Sequence, residues 1–321
     1  MGSASKPFPP GVHVPTLTFF HGNPRQDIDW DTQRAHLEYL IKSGVHGVVV
    51  NGTNAEAISL TPDEKGRLIT ETRDIAIKLG KPNLPLTAGC SGGCTRDVID
   101  QTIAAHRNGA DFALVLISSY FHFALTPAAI VDFFREVADN SPIPIVIYNF
   151  PDVVAGLDVN SEMLDKLSAH PNICAVKLTC GGIAKVARVA ETNDPSRFAA
   201  LAGQGDWLFP ALSVGGTGCI AGIANVFPRI LVEIYNLFTQ GKIAEATKLQ
   251  KKLSKAEWGL AKGGLNGTKW IVVKIRGYPE TSADCRRPVP KFVDAEKREC
   301  ITSRVYELLP VEEQLAAVAS W

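Results

Sequence analysis

A closed parallel (β/α)8 barrel of the TIM type with additional C-terminal helices is the α/β fold that this sequence predicts, and three observations predict it. Eight short runs of β-branched or apolar residues recur along the chain. Segments of helical period alternate with them, and no GxGxxG fingerprint follows the first run, as a doubly wound dinucleotide fold would require. The runs are VPTLTFF (14–20), VHGVVV (45–50), LPLTA (84–88), FALVLI (112–117), IPIVIY (143–148), ICAVKL (173–178), FAALA (198–202) and TGCIA (217–221).

Most of these runs are continuously apolar, as parallel strands packed inside a barrel and covered outside by helices should be. The clearest helix follows the second run. Thr61-Pro-Asp-Glu64 reads as a capping box with proline at the first helical position, and Leu68, Ile69, Thr72, Ile75, Ala76 and Leu79 share one face. Gly80 sits past its end. Asp63 and Glu64 are therefore expected to cap, not to catalyse. Beyond about residue 226 the pattern is helical, and ITSRVYELLPVEEQLAAVAS resumes it after a stretch rich in proline and charge at 279–291. One domain is expected over 1–321, with the barrel at about 12–240 and a helical extension at about 241–321, where oligomer contacts would form.

At 321 residues the chain accommodates one barrel and its appendage without a second core. Lys+Arg and Asp+Glu each total 33, so no net field steers the protein toward nucleic acid or an anionic membrane. A small molecule held by local groups is the expected partner. The seven cysteines (Cys90, Cys94, Cys174, Cys180, Cys219, Cys285, Cys300) are odd in number and form no CxxC pair, which suits a reducing compartment. MGSASKPFPPG lacks an apolar h-region and an Arg-rich amphipathic stretch, and no run approaches the ~18 apolar residues of a membrane span. A cytoplasmic location is expected, with mitochondria open as the alternative. The seven histidines (His13, His21, His36, His46, His106, His122, His170) show no HxH or HExxH spacing, so a metal site would need scattered ligands.

In such a barrel the reacting groups project from the C-terminal ends of the strands. The sixth run places Lys177 inside an apolar segment, where an unpaired ammonium is costly. Such a lysine is either paired with a carboxylate or becomes a neutral amine, and a neutral amine is what imine formation with a ketone requires. The fifth run ends in Tyr148-Asn149-Phe150-Pro151. Alone, that tyrosine could be a packed aromatic; on the stave beside Lys177 it could pass protons to and from the imine carbon. The turn Asn51-Gly52-Thr53-Asn54-Ala55-Glu56-Ala57 offers backbone N–H groups and the Thr53 hydroxyl to a carboxylate, whereas Glu56 reads as a structural group hydrogen-bonded beneath the loop. Two glycine-rich turns, at 203–206 and 215–221, let backbone approach a ligand, with Gly203, Asp206 and Ile220 as the substrate-facing candidates. Neither turn contains lysine or arginine, which argues against phosphate.

GTNAEA (52–57), YNFP (148–151), VKLT (176–179) and GGTGCIAGIANVFP (215–228) occur in that order at strand ends. Through them the chain resembles, over roughly residues 10–300, the dihydrodipicolinate synthase/N-acetylneuraminate lyase family of class I aldolases. The resemblance implies a TIM barrel, a homotetramer, and neither metal nor organic cofactor. It implies Lys177 as the Schiff-base lysine and Tyr148 as the proton-transfer tyrosine. Gly52, Thr53 and Asn54 would hold the 2-keto-acid carboxylate. Tyr120 matches loosely the tyrosine that lysine-biosynthetic members donate to a neighbouring subunit's relay.

Departures bear on the substrate. Lysine-biosynthetic members carry an arginine two residues beyond the YNxP proline to bind aspartate semialdehyde, and Val153 stands there. Thr179 matches a threonine of the sugar-acid lyases, and Asp206 falls near an acidic residue that binds substrate hydroxyls in neuraminate lyases. Within the family, PPGVHVPTLTFF looks most similar to fungal members that cleave 2-keto-3-deoxy-L-galactonate to pyruvate and L-glyceraldehyde. The 4-hydroxy-2-oxoglutarate aldolases come next. A carbon–carbon lyase releasing pyruvate from a 2-keto acid is the expected activity. The rivals are a metal-dependent aldolase or hydrolase and a non-catalytic keto-acid sensor on the same barrel.

Overall fold

Strand and helix alternate eight times in the computed structural model, which describes residues 6–318. The pairs are β1 (Gly11–Pro15) with α1 (Trp30–Lys42), β2 (Gly47–Val50) with α2 (Pro62–Lys78), β3 (Leu86–Cys90) with α3 (Thr95–Arg107), and β4 (Phe112–Leu116) with α4 (Pro127–Asn140). They continue as β5 (Ile145–Asn149) with α5 (Ser161–Ser168), β6 (Ile173–Leu178) with α6 (Ile183–Thr192), β7 (Ala199–Ala202) with α7 (Leu208–Ser213), and β8 (Gly218–Ile220) with α8 (Pro228–Thr239). Two long helices follow, α9 (Ile243–Arg276) and α10 (Ala295–Val318). The strands pair in sequence order, all parallel, and β1 closes on β8. The predicted (β/α)8 class with C-terminal helices is therefore the observed fold. The MGSAS stretch and the last two residues of the C-terminal helical pattern lie outside the described residues.

Closure depends on Gly218. Its φ is 155°, and a Cβ there would stand 2.0 Å from the Gly11 carbonyl oxygen, so only glycine lets the first and last strands meet. The period-two pleat then sorts side chains. Val49, Leu114, Val146, Ala175, Leu201 and Ile220 form one apolar cluster contributed by six strands, while the larger cluster lies between strands and helices. Phe8 joins the first cluster edge-on to Phe112, with ring centroids 5.0 Å apart.

β1 differs from the expected strand at 14–20: it spans Gly11–Pro15 and stops at the proline. Thr16 N–H still donates to Val49 O of β2 at 2.9 Å, and residues 17–20 then leave the barrel wall. Phe19 N–H turns to the Gln33 side chain (3.1 Å), and Phe20 bridges antiparallel to Ile28. The apolar run is real, but part of it serves helix packing. α2 begins as expected, with Thr61 Oγ1 accepting from Glu64 N–H at 3.2 Å and the Glu64 carboxylate accepting from Thr61 N–H at 2.9 Å. Among the described residues no helix is long and apolar enough to cross a membrane.

Candidate active site

β5 and β6 are in register so that Tyr148 and Lys177 are directly paired. Alternation points both into the barrel, one step above Val146 and Ala175. Lys177 is buried, and its Nζ stands 4.0 Å from the centroid of the Tyr148 ring. Among the described residues it has no carboxylate partner and makes no hydrogen bond. Of the two readings of this lysine, the paired one finds no support in the geometry.

The buried Tyr148 directs its hydroxyl toward Thr53 Oγ1 at 3.4 Å. That is longer than a usual hydroxyl–hydroxyl bond and of the kind that tightens when a ligand enters. Thr53 belongs to the turn that follows β2. Within this turn Ala55 and Ala57 N–H both donate to Gly52 O, and Glu56 N–H donates to Thr53 O. The amides of Gly52, Thr53 and Asn54 have no protein acceptor among the described residues. Three unused donors beside a paired lysine and tyrosine suit a carboxylate.

A cavity of about 300 Å³ opens at this point, lined by the β2 turn, the ends of β3 and β4, Tyr148 and Val153. Among the described residues its wall contains no lysine or arginine. Lys177 is not in the wall; its Nζ lies over the Tyr148 ring.

The remaining candidates fall into three groups. Thr179 follows β6, and its buried hydroxyl has no hydrogen-bond partner. Gly203, after β7, is packed so closely that a Cβ would stand 2.0 Å from that hydroxyl. Asp206 is half-buried and its carboxyl is raised from the usual range by burial, while Ile220 is fully buried on β8. These four stand on the β6–β8 side and do not line the cavity. Tyr120 is apart from these: 80% exposed in the β4–α4 loop, it touches Phe121 edge-on, and among the described residues no hydrogen bond or ring contact joins it to Tyr148 or Thr53. No group of three or more His, Cys, Asp or Glu side chains able to hold a metal occurs among the described residues.

Residues 9–305 match the model of the dihydrodipicolinate synthetase family. The chain belongs to this family. An Emericella nidulans relative named "Probable 4-hydroxy-2-oxoglutarate aldolase, mitochondrial" is 39% identical over 97% of the chain and 99% of its own length. An Aspergillus niger relative named L-threo-3-deoxy-hexylosonate aldolase is 35% identical over 98% of the chain and 99% of its own length. Among solved structures, a dihydrodipicolinate synthase family protein from Coccidioides immitis superposes with a TM-score of 0.87 at 35% identity, covering 98% of this chain and 100% of that one. The chain is accordingly an enzyme, a carbon–carbon lyase of the aldolase type.

Glu56, the Asp206 turn and the Glu64 cap are each held by residues that sequence reading missed. Glu56 carries the expected structural role, but its partner is Lys269 of α9, at 2.8 Å and fully buried. The Asp206 turn is held by Glu257, also on α9, whose acid is pushed up to about 8 by burial and by the Asp206 carboxyl. Arg286, in the stretch read as a loop, pairs with both Glu64 carboxylate oxygens at 2.7 and 2.8 Å. The one local signal was a charge set in an apolar run at Lys269-Trp-Ile-Val-Val273.

Proposed function

We propose that this lyase cleaves a 2-keto-3-deoxy sugar acid through a Schiff base on Lys177, releasing pyruvate. The observation that carries the reading is the paired register of Tyr148 and Lys177, with Lys177 lacking a carboxylate partner.

The substrate carboxylate would dock on the unused amides of Gly52, Thr53 and Asn54. The Lys177 amine adds to the ketone carbon, and the carbinolamine hydroxyl leaves as water with the proton of the Tyr148 phenol, giving an iminium and a phenolate. Tyr148 takes the proton from the C4 hydroxyl, the C3–C4 bond breaks, and its electron pair enters the iminium to form an enamine. The aldehyde departs. Protonation of the enamine carbon and hydrolysis of the iminium then free pyruvate and restore the amine.

Asp206 and Thr179 would meet the hydroxylated half of the substrate. L-threo-3-deoxy-hexulosonate, which yields L-glyceraldehyde, is the substrate we favour over 4-hydroxy-2-oxoglutarate. The latter carries a second carboxylate, which would meet the Asp206 carboxyl at that end instead of a cation, with Val153 where an arginine would serve. Tyr120 enters the relay only if a second copy presents it, which fits the homotetramer implied by the resemblance.

Borohydride reduction in the presence of pyruvate, followed by peptide mapping, should place the adduct on Lys177; an unmodified Lys177 removes the Schiff-base reading. Pyruvate release from L-threo-3-deoxy-hexulosonate should exceed that from 4-hydroxy-2-oxoglutarate in kcat/KM, and the opposite ranking removes the substrate assignment.

A further inference from the structure

α9 lies outside the barrel and is broken at Gly264, where φ is 59° and ψ is −152°. The segments on either side of this break hold two different substrate-facing turns. Before it, Gln250, Ser254 and Glu257 recur at helical spacing and so share one face. Gln250 Nε2 donates to Gly205 O at 2.9 Å, and Ser254 Oγ donates to Asp206 O at 3.0 Å. Glu257 accepts from Gly205 N–H at 3.2 Å and also from Asp206 N–H. Three α9 side chains thereby engage every backbone polar group of Gly205 and Asp206.

After the break, Lys269 donates to Glu56 at 2.8 Å and to the Asp284 carbonyl at 2.9 Å. The second Glu56 oxygen accepts from Arg286 N–H at 2.7 Å. Glu56 has a left-handed backbone, with φ of 57°, two residues beyond Asn54. A non-glycine residue keeps that conformation only when its surroundings over-determine it, and the buried Lys269 ammonium does so.

We infer that α9 is the common mount of the substrate site, with Lys269 positioning the carboxylate end through Glu56 and Glu257, with Gln250, positioning the hydroxylated end through Asp206. The inference rests on the Schiff-base reading above, in which the two turns serve opposite ends of one substrate. Lys269 and Glu257 are positioning residues: neither touches the reacting atoms. Because the segments act on different ends, damage to each should separate kinetically.

The test uses the full chain in the synthetic direction, with pyruvate and L-glyceraldehyde as probes. Half-saturation for pyruvate is read from borohydride trapping on Lys177, and KM for the aldehyde from steady-state addition. Glu257→Gln should raise the aldehyde KM at least tenfold while pyruvate half-saturation stays within twofold. The charge-neutral double variant Lys269→Met/Glu56→Gln should do the reverse. Where either fails to fold, Ser254→Ala and Glu56→Asp loosen the same two turns, the latter by drawing the carboxylate back from Lys269 and the Arg286 N–H, and should shift the same constants in the same directions. Equal shifts in both constants, or none, overturn the inference while a wild-type adduct on Lys177 leaves the Schiff-base reading intact. A wild type that traps no pyruvate removes both.

Discussion

Tyr148 owes its proposed proton-transfer role to one hydroxyl, and removing that hydroxyl separates two steps. Tyr148→Phe keeps the ring beside Lys177 Nζ, so trapping with pyruvate should persist. Turnover should fall about 10²–10⁴-fold, the usual range for a lost general acid–base group; unchanged turnover ends the relay role. Glu257 offers a pH test at the same scale. Its folded pKa of about 8 lies above the ordinary 4.5, so its contribution to stability is full below about pH 4.5 and is lost as pH rises toward 8. Above about pH 6.5, where His13 and His36 no longer titrate in either state, the melting temperature should fall toward pH 8, and Glu257→Gln should remove that fall; an identical slope in the variant assigns the titration elsewhere. Lys177 was legible because an ammonium in an apolar strand is anomalous on its own. Glu257 and Lys269 were not, because their partners, Asp206 and Glu56, are 51 and 213 residues away, and no local pattern encodes such a pairing.

At the scale of elements, the junctions after the strands carry the constraints. Gly203→Ala would put a Cβ 2.5 Å from the Leu178 carbonyl oxygen and 2.0 Å from Thr179 Oγ1. A backbone oxygen cannot yield as a flexible side chain does, so the variant should lose about 1–3 kcal/mol in denaturant unfolding. Thr61→Ala, by contrast, removes one side-chain acceptor from the start of α2 and should cost only about 1 kcal/mol. A Thr61→Ala penalty as large as that of Gly203→Ala would contradict this ordering. The α2 start was readable to the residue because a capping box is local chemistry. β1 was not: VPTLTFF is uniformly apolar, and whether an apolar residue pairs with a strand or packs under a helix depends on what lies opposite it. The 279–291 stretch looked like a connector, because proline and charge are all that sequence displays there, yet Asp284 and Arg286 bond to Lys269 and Glu56.

For the molecule as a whole, two fully buried histidines set its tolerance to acid. His13 Nε2 donates to Pro9 O near the foot of the barrel, and His36 on α1 donates to Asn225 beside α8. Burial lowers both from 6.5 to about 4. Between those values the unfolded chain binds the protons the folded one refuses, so stability should be lost as pH falls from 6.5 toward 4, by about 3 kcal/mol for each histidine. Urea midpoints that stay level across that range would contradict it. The same whole-chain view shows when the site can be completed. The last barrel strand ends at Ile220, whereas Glu257 and Lys269 come about 40 and 50 residues later. A ribosome adding ~5–20 residues per second needs about 2–10 s to cover that interval. During it, a nascent barrel already containing Lys177 and Tyr148 lacks the α9 side chains that bond the 52–57 and 205–206 turns, so, on the proposed reading, newly made protein passes through a stage that has the reactive pair before its grip.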